Sequence, residues 1–215
     1  MKVFSSWSGG KDSALAAHRA IRQGHYIAYL VNFISEDGQR SRSHGVKADV
    51  LAAQARATGI PLIQAKTSWA DYEQNFKGTV AGLKKKGVQG GVFGDIDLEE
   101  HREWVERVCT ETGIAPLLPL WKAARHDLLA EFWKAGFESV VVANKLEERL
   151  LGRNLDKAFV DEIKKVGWDA CGEAGEYHSF VTGGPLFSRR LKVTLGKREK
   201  RDGMWFLDIS VEPGP

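Results

Sequence analysis

The chain has 215 residues, 43% hydrophobic and 27% charged, with a formal charge of +3. These are ordinary globular values, enough for a full α/β core, and the slight basic excess suits an anionic ligand without being a nucleic-acid footprint. No run approaches the roughly 18 apolar residues of a membrane span. The two cysteines, Cys109 and Cys171, are far apart with no CxxC, which argues against a disulfide scaffold or a zinc site. With a start that runs straight into a strand and no signal-peptide pattern, the chain reads as soluble and cytoplasmic.

Apolar strands alternate with helical stretches from the first residues onward. Residues 2–7 predict a strand and 12–23 a helix ended by Gly24. A strand over 26–33, a polar loop over 35–44 and a helix over 46–58 ended by Gly59 follow. Residues 61–65 predict a third strand and 71–86 a helix whose Lys84, Lys85 and Lys86 sit at its negative end. Residues 91–95 predict a fourth strand closing on Gly94 and Asp95, then a helix over 99–112 ended by Gly113. Beyond it come 114–118, a helix over 125–135, a buried strand over 140–143, and a helix over 156–166 with Asp156 as N-cap. Residues 169–187 carry glycines, two glutamates, a tyrosine and a histidine without helical or strand period, and read as a functional loop. Strands at 191–195 and 205–211 enclose Asp202-Gly203, a hairpin signal. The fold class expected is α/β, a mostly parallel sheet with helices on both faces, plus a smaller C-terminal α+β portion. The boundary falls near 123, giving domains 1–123 and 124–215.

Ser8-Gly9-Gly10-Lys11-Asp12-Ser13 stands between the first strand and the first helix. Two glycines permit a tight turn and close approach to an anion, and the following helix offers its N–H groups and positive dipole end. Ser8, Ser13 and Lys11 add hydroxyls and a cation, completing a phosphate cradle. It is not a Walker A loop, because Gly10-Lys11 is followed by Asp12. Instead, SGGKDS resembles the PP-loop of the N-type ATP pyrophosphatases. That resemblance implies ATP, with Ser8, Gly9, Gly10, Lys11, Asp12 and Ser13 on its phosphates.

Other residues carry open alternatives. Asp12 caps its helix or binds a metal. Glu173 and Glu176 could hold a metal, orient an amine or act as a base, and His178 could shuttle a proton near neutral pH. Cys171 reads better as a buried structural thiol than as a nucleophile. His44, in Ser41-Arg42-Ser43-His44-Gly45, is a nucleotide contact or part of a capping loop. Arg102 and Arg153 meet phosphate or carboxylate, or are simply solvated. Trp7 abuts the glycine loop and could flank an adenine.

A longer pattern narrows the reading: SGGKDS, Gly94-Asp95-Ile96, Pro119-Leu120-Trp121, Leu151-Gly152-Arg153, Gly172-Glu173-Ala174-Gly175-Glu176-Tyr177-His178 and Gly184-Pro185-Leu186-Phe187, in that order. Together they resemble the diphthine–ammonia ligase family, of adenine nucleotide α-hydrolase-like fold, over nearly the whole chain. The resemblance implies an AMP-forming ligase: a carboxylate is adenylated, ammonia displaces AMP, and pyrophosphate is released. It implies Mg²⁺ held with Asp12 or Asp95, nucleotide contacts at His44, Gly94 and Asp95, and catalytic roles for Lys11, Asp12, Glu173, Glu176 and His178. The implied protein partner is elongation factor 2 carrying diphthine, with free or partner-supplied ammonia, and a homodimer is compatible with the sequence. Ala174 departs from the Asn or Gly common in the family motif and removes any polar role there. Two other readings share parts of this pattern: a PP-loop enzyme acting on tRNA or a metabolite, and an adenine-nucleotide sensor without chemistry.

Overall fold

A computed structural model describes residues 1–212. Along the chain run β1 (Lys2–Ser6), α1 (Lys11–Arg22), β2 (Tyr26–Ile34), α2 (Ala48–Thr58), β3 (Leu62–Lys66), α3 (Tyr72–Lys85), β4 (Gly90–Val92) and α4 (Glu99–Thr112). They continue as β5 (Ala115–Leu117), α5 (Arg125–Lys134), β6 (Glu138–Asn144), α6 (Lys157–Lys165), β7 (Tyr177–Gly183), β8 (Val193–Arg201) and β9 (Met204–Val211), with a 3₁₀ turn at Glu148–Leu150. Contacts divide the chain into two compact units. The first comprises Met1–Ser8, Asp12–Ser43 and Ile60–Ala123; the second comprises Gly9–Lys11, His44–Gly59 and, of the described residues, 124–212.

In the first unit five strands form a wholly parallel sheet in the order β3-β2-β1-β4-β5. Strands of such a sheet are buried on both faces and read as near-continuous apolar runs, which is what Tyr26–Ile34 shows. Phe4 of β1 and Val31 and Phe33 of β2 share a core with Phe76, Val80 and Leu83 of α3 and Val105, Val108 and Cys109 of α4. Their spacing on α3 and α4 is the i, i+3/i+4 stripe of a helix laid on a sheet. Burial pushes the Cys109 thiol up to about 12, so it behaves as an apolar side chain. The fourth strand is shorter than expected. It stops at Val92, and Phe93, Gly94 and Asp95 form the loop at its carboxyl end.

The second unit is an antiparallel sheet in the order β7-β6-β9-β8, with helices against both faces. Alternation along β6 sorts its valines. Val140 and Val142 pack with Val50 and Leu51 of α2 and with Phe180, Leu207 and Ile209. Val141 faces the other way, with Leu129 of α5, Phe159, Val160 and Ile163 of α6, and Tyr177. Asp156 caps α6 as expected, its carboxylate accepting the Phe159 N–H at 2.8 Å. The Asp202-Gly203 turn is also as expected, both residues having positive φ.

One expectation is corrected here. Residues 169–187 are not loop throughout, because 177–183 is β7, paired along β6 from Glu138↔Gly183 to Asn144↔Tyr177. Six of its seven residues are buried, so both faces are covered and no apolar/polar alternation marks it as a strand. The eighth strand runs on to Arg201 through the charged Lys197–Arg201 stretch, which an exposed edge position accommodates. Among the described residues no helix is long and apolar enough to cross a membrane.

Candidate functional site

The first unit holds a pocket of about 220 Å³ at the carboxyl ends of β1, β2 and β4. The chain fills β1, β2 and β3 in one direction and β4 and β5 in the other, so β1 and β4 flank the point where strand order reverses. Open parallel sheets bind ligands at such points. Ser8, Asp12, Ser13, Gly94 and Asp95 all line this pocket, together with Trp7. The Ser8 hydroxyl donates to Ser13 Oγ at 3.1 Å. Gly94 lies so close to the start of α1 that a Cβ there would stand 3.0 Å from both the Asp12 carbonyl carbon and the Ser13 nitrogen. Asp12 occupies the first turn of α1 rather than its cap, since the helix begins at Lys11. Asp95 Oδ1 lies 3.2 Å from His101 Nδ1. Burial, reinforced by the Asp95 charge, pushes the Tyr72 hydroxyl up to about 12 and keeps it a proton donor at neutral pH.

The second unit gathers a different set. Gly9 takes a left-handed φ of 81°, and a Cβ there would meet Leu51 Cδ2 at 2.4 Å, which requires glycine. Its carbonyl accepts from Val181 N at 2.9 Å and from Gln54 Nε2 at 3.0 Å. Gln54 also donates to the Val181 carbonyl at 2.7 Å and is fully buried. The Lys11 amide donates to Ser179 Oγ at 3.2 Å, and the Lys11 ammonium lies 5.5 Å from the Tyr177 ring centre. The His44 ring packs against Gly10, bonds the Ser179 carbonyl through Nδ1 at 3.2 Å, and stacks on His178 at 4.5 Å.

Charge and burial set the protonation of that stack. Burial, then the Lys11 and Lys145 cations, lower His178 to about 4. Burial, then His178 and Lys11, hold His44 well below the usual imidazole range, against a smaller opposing effect of its bond to Ser179. Both rings are therefore neutral at pH 7. A neutral ring still offers one donor and one acceptor nitrogen.

The remaining expected residues are placed as follows. Glu173 lies in the turn before β7, its amide held by Asp169 Oδ2 at 2.9 Å, and Asp169 in turn meets Arg125 at 3.0 Å. Glu176 has one carboxylate oxygen, Oε2, buried without a partner among the described residues. Its carbonyl accepts from Lys145 N. Cys171 is buried, its thiol donating to the Arg125 carbonyl at 3.0 Å, as the structural reading requires. Arg102 pairs with Glu99 at 2.7 Å and covers Trp121, while Arg153 pairs with Glu162 and covers Phe159. Each arginine thus has a carboxylate and an aromatic partner within its own unit. Among the described residues no group of three or more His, Cys, Asp or Glu side chains has metal-holding geometry.

Several residues at these sites escape a motif reading. Gln54 carries a signal, a lone amide among the buried Val50, Leu51, Ala53, Ala55 and Ala57 of α2. Asn32, 2% exposed among the apolar residues of β2, carries the same kind. Ser179, Tyr72 and Trp69 have none, because their places are set by strand pairing and by the loops between distant elements.

Comparison with known proteins divides the chain once, between residues 116 and 124, so Gly9–Lys11 and His44–Gly59 fall in the N-terminal match although they pack in the second unit. The diphthamide synthase N-terminal domain matches residues 1–116, and the diphthamide synthase C-terminal domain matches residues 124–212. Diphthine–ammonia ligases of Rattus norvegicus and Homo sapiens are each 27% identical over 221 residues, covering 90% of this chain and 83% of theirs. The protein of that name from Schizosaccharomyces pombe is 28% identical, and the match spans 36% of its length. A solved structure described as a predicted subunit of tRNA methyltransferase from Methanocaldococcus jannaschii aligns with a TM-score of 0.47 and 15% identity, over 86% of this chain and 98% of that one.

Proposed function

Because the chain belongs to the diphthamide synthase family, we propose that it is an ATP-dependent ligase that converts a carboxylate to its amide with ammonia, releasing AMP and pyrophosphate. The observation that carries this reading is the pocket at the strand-order reversal, where Ser8, Asp12, Ser13, Gly94 and Asp95 meet at the start of a helix.

Two hydroxyls and a helix N-terminus favour phosphate oxygens there. Lys11, the cation of the SGGKDS motif, is assigned to charge developing on the leaving pyrophosphate. A carboxylate oxygen of the acceptor attacks the α-phosphorus, and the bond to pyrophosphate breaks with its electron pair. The nitrogen lone pair of ammonia then attacks the activated acyl carbon, the C–O bond to AMP breaks, and a proton leaves the new amide nitrogen. Glu173, Glu176 and the neutral His44–His178 stack are assigned to the acceptor side, where a carboxylate or an unprotonated ring nitrogen can take that proton. Asp12 and Asp95 suit Mg²⁺, which is held by one or two carboxylates plus phosphate oxygens and water rather than by an all-protein cage. When bound, Mg²⁺ would neutralise phosphate charge.

The acceptor named for the relatives is diphthine, and the family resemblance points to elongation factor 2 as its bearer. The test incubates the protein with Mg-ATP, ammonium and diphthine-bearing elongation factor 2. The expected result is AMP, pyrophosphate and an acid-to-amide mass change on the factor, all lost in Lys11→Ala. Pyrophosphate release with the factor unchanged would redirect the reading to another carboxylate. Wild-type rates in Lys11→Ala would overturn the loop assignment.

A further inference from the structure

Strand order gives the pocket of the first unit a direction. Ser13 and Asp95 stand at its β1/β4 side, Asn32 and Phe33 belong to β2, and Trp69 follows β3. Neighbouring strands lie about 4.8 Å apart, so the span from β4 to β3 is about 14 Å, a length comparable with a nucleotide laid across the sheet edge.

The β3 side is built differently from the phosphate side. Trp69 is 68% exposed, and the Arg42 guanidinium lies 4.6 Å from its ring centre. The ring continues inward to Tyr72 at 5.9 Å, and Tyr72 to Phe33 at 5.0 Å. A lone exposed tryptophan is unremarkable on a protein surface. This one lines a pocket and carries a guanidinium against its face, an arrangement that accepts a further flat π-system. Close by, the Asn32 amide group donates to the Trp7 carbonyl at 2.8 Å and to Ser41 Oγ at 3.1 Å. A carbonyl only accepts, so this bond fixes the amide orientation and leaves Oδ1 as a buried acceptor with no donor among the described residues. Trp69 and Arg42 stand at the β3 end of the pocket, away from Ser13 and Asp95, and the Asn32 acceptor lies between them and Trp7.

Resting on the reading that this pocket holds ATP, we infer that Trp69, backed by Arg42, is the stacking platform for the nucleobase. The triphosphate then lies toward the start of α1. Trp69 is a binding residue that contributes to the base half of the ligand and nothing to the phosphate half.

The experiment titrates ATP and, separately, inorganic tripolyphosphate into wild type, Trp69→Ala and Trp69→Phe, with Mg²⁺ present, by calorimetry. Loss of one base–aromatic stack weakens ATP by about tenfold in Trp69→Ala. Tripolyphosphate affinity stays at the wild-type value, and Trp69→Phe retains most of the ATP affinity. The exposure of Trp69 keeps the alanine variant folded, and its circular dichroism should match wild type. Unchanged ATP affinity in Trp69→Ala, or equal weakening of ATP and tripolyphosphate, overturns the platform while leaving the ATP site intact. A wild-type protein that binds no ATP overturns both this assignment and the ligase reading.

Discussion

The two units build polar sites by opposite means. The parallel sheet of the first unit collects short side chains, Ser8, Asp12, Ser13 and Asp95, at strand ends and at a helix start. Backbone direction alone brings those ends together, so the site follows from strand order. The antiparallel unit collects Lys11, His44 and His178 through contacts between residues far apart in sequence. The Lys11 amide reaches Ser179, and His44 reaches the Ser179 carbonyl. Its electrostatics differ as well: the first site carries carboxylates, whereas the second carries cations beside imidazoles that burial keeps neutral. A strand-end site is robust to side-chain change but intolerant of backbone displacement. A packed cluster depends on the side chains that pin it.

The sharpest test of that contrast is Gly94→Ala. The added methyl would press on the Asp12 and Ser13 backbone, at contacts of 3.0 Å that neither can relieve by rotating a side chain. Displacing a binding backbone by a fraction of an ångström to an ångström costs up to about 100-fold in rate. Pyrophosphate release should fall by about that factor with circular dichroism unchanged. Near-wild-type release would mean that the start of α1 need not be held in place. The counterpart in the second unit is Gln54→Ala. It leaves the Val181 carbonyl short of a buried donor and opens a small cavity, at a cost of about 1–3 kcal/mol. The urea midpoint should drop accordingly. An unchanged midpoint would show that the Gly9 carbonyl and β7 are held without it.

The same contrast explains what could be read from the chain. The helix expected over 99–112 is found as Glu99–Thr112, and the strand expected over 26–33 differs by one residue. Periodic apolar spacing and terminal glycines mark such elements locally. The SGGKDS loop was legible for the same reason, since a strand, a glycine turn and a helix start are adjacent in sequence. β7 is not legible, because its pairing is with β6, more than thirty residues earlier, and its two faces are buried by α2 on one side and by α5 and α6 on the other. Gln54 and Ser179 became functional candidates only once that pairing was visible. The low basicity of His178 was invisible for a related reason: its causes, burial and the Lys11 and Lys145 cations, come from three separate segments.

The histidine stack gives the second unit a pH dependence of its own. An unfolded His178 takes up its proton near the usual 6.5, whereas the folded ring resists until about 4. Between those values the unfolded chain binds more protons, so stability is complete above pH 6.5 and is lost as pH falls toward 4. His44 shifts in the same direction and adds to the slope. Urea midpoints at pH 7 and pH 5 should therefore differ, and His178→Gln, which cannot ionise, should narrow the difference. Equal differences in wild type and variant would mean that His178 is protonated alike in both states.

The smallest expected effect is a control on the other face of the same sheet. The Asp156 carboxylate accepts the Phe159 N–H at 2.8 Å and so satisfies one of the donors that α6 leaves exposed at its start. Removing it in Asp156→Ala costs about 1 kcal/mol, and Asn, which caps equally well, should restore most of that. The helix packs through Phe159, Val160 and Ile163, in the core that does not include α2. Loss of the cap should thus lower the urea midpoint while pyrophosphate release at neutral pH stays at the wild-type rate. A variant that loses activity in proportion to stability would show that the cluster around Lys11 and His178 is held by both faces of the sheet, not by α2 and β7 alone. A variant that loses neither would show that water satisfies the Phe159 N–H as well as the carboxylate does.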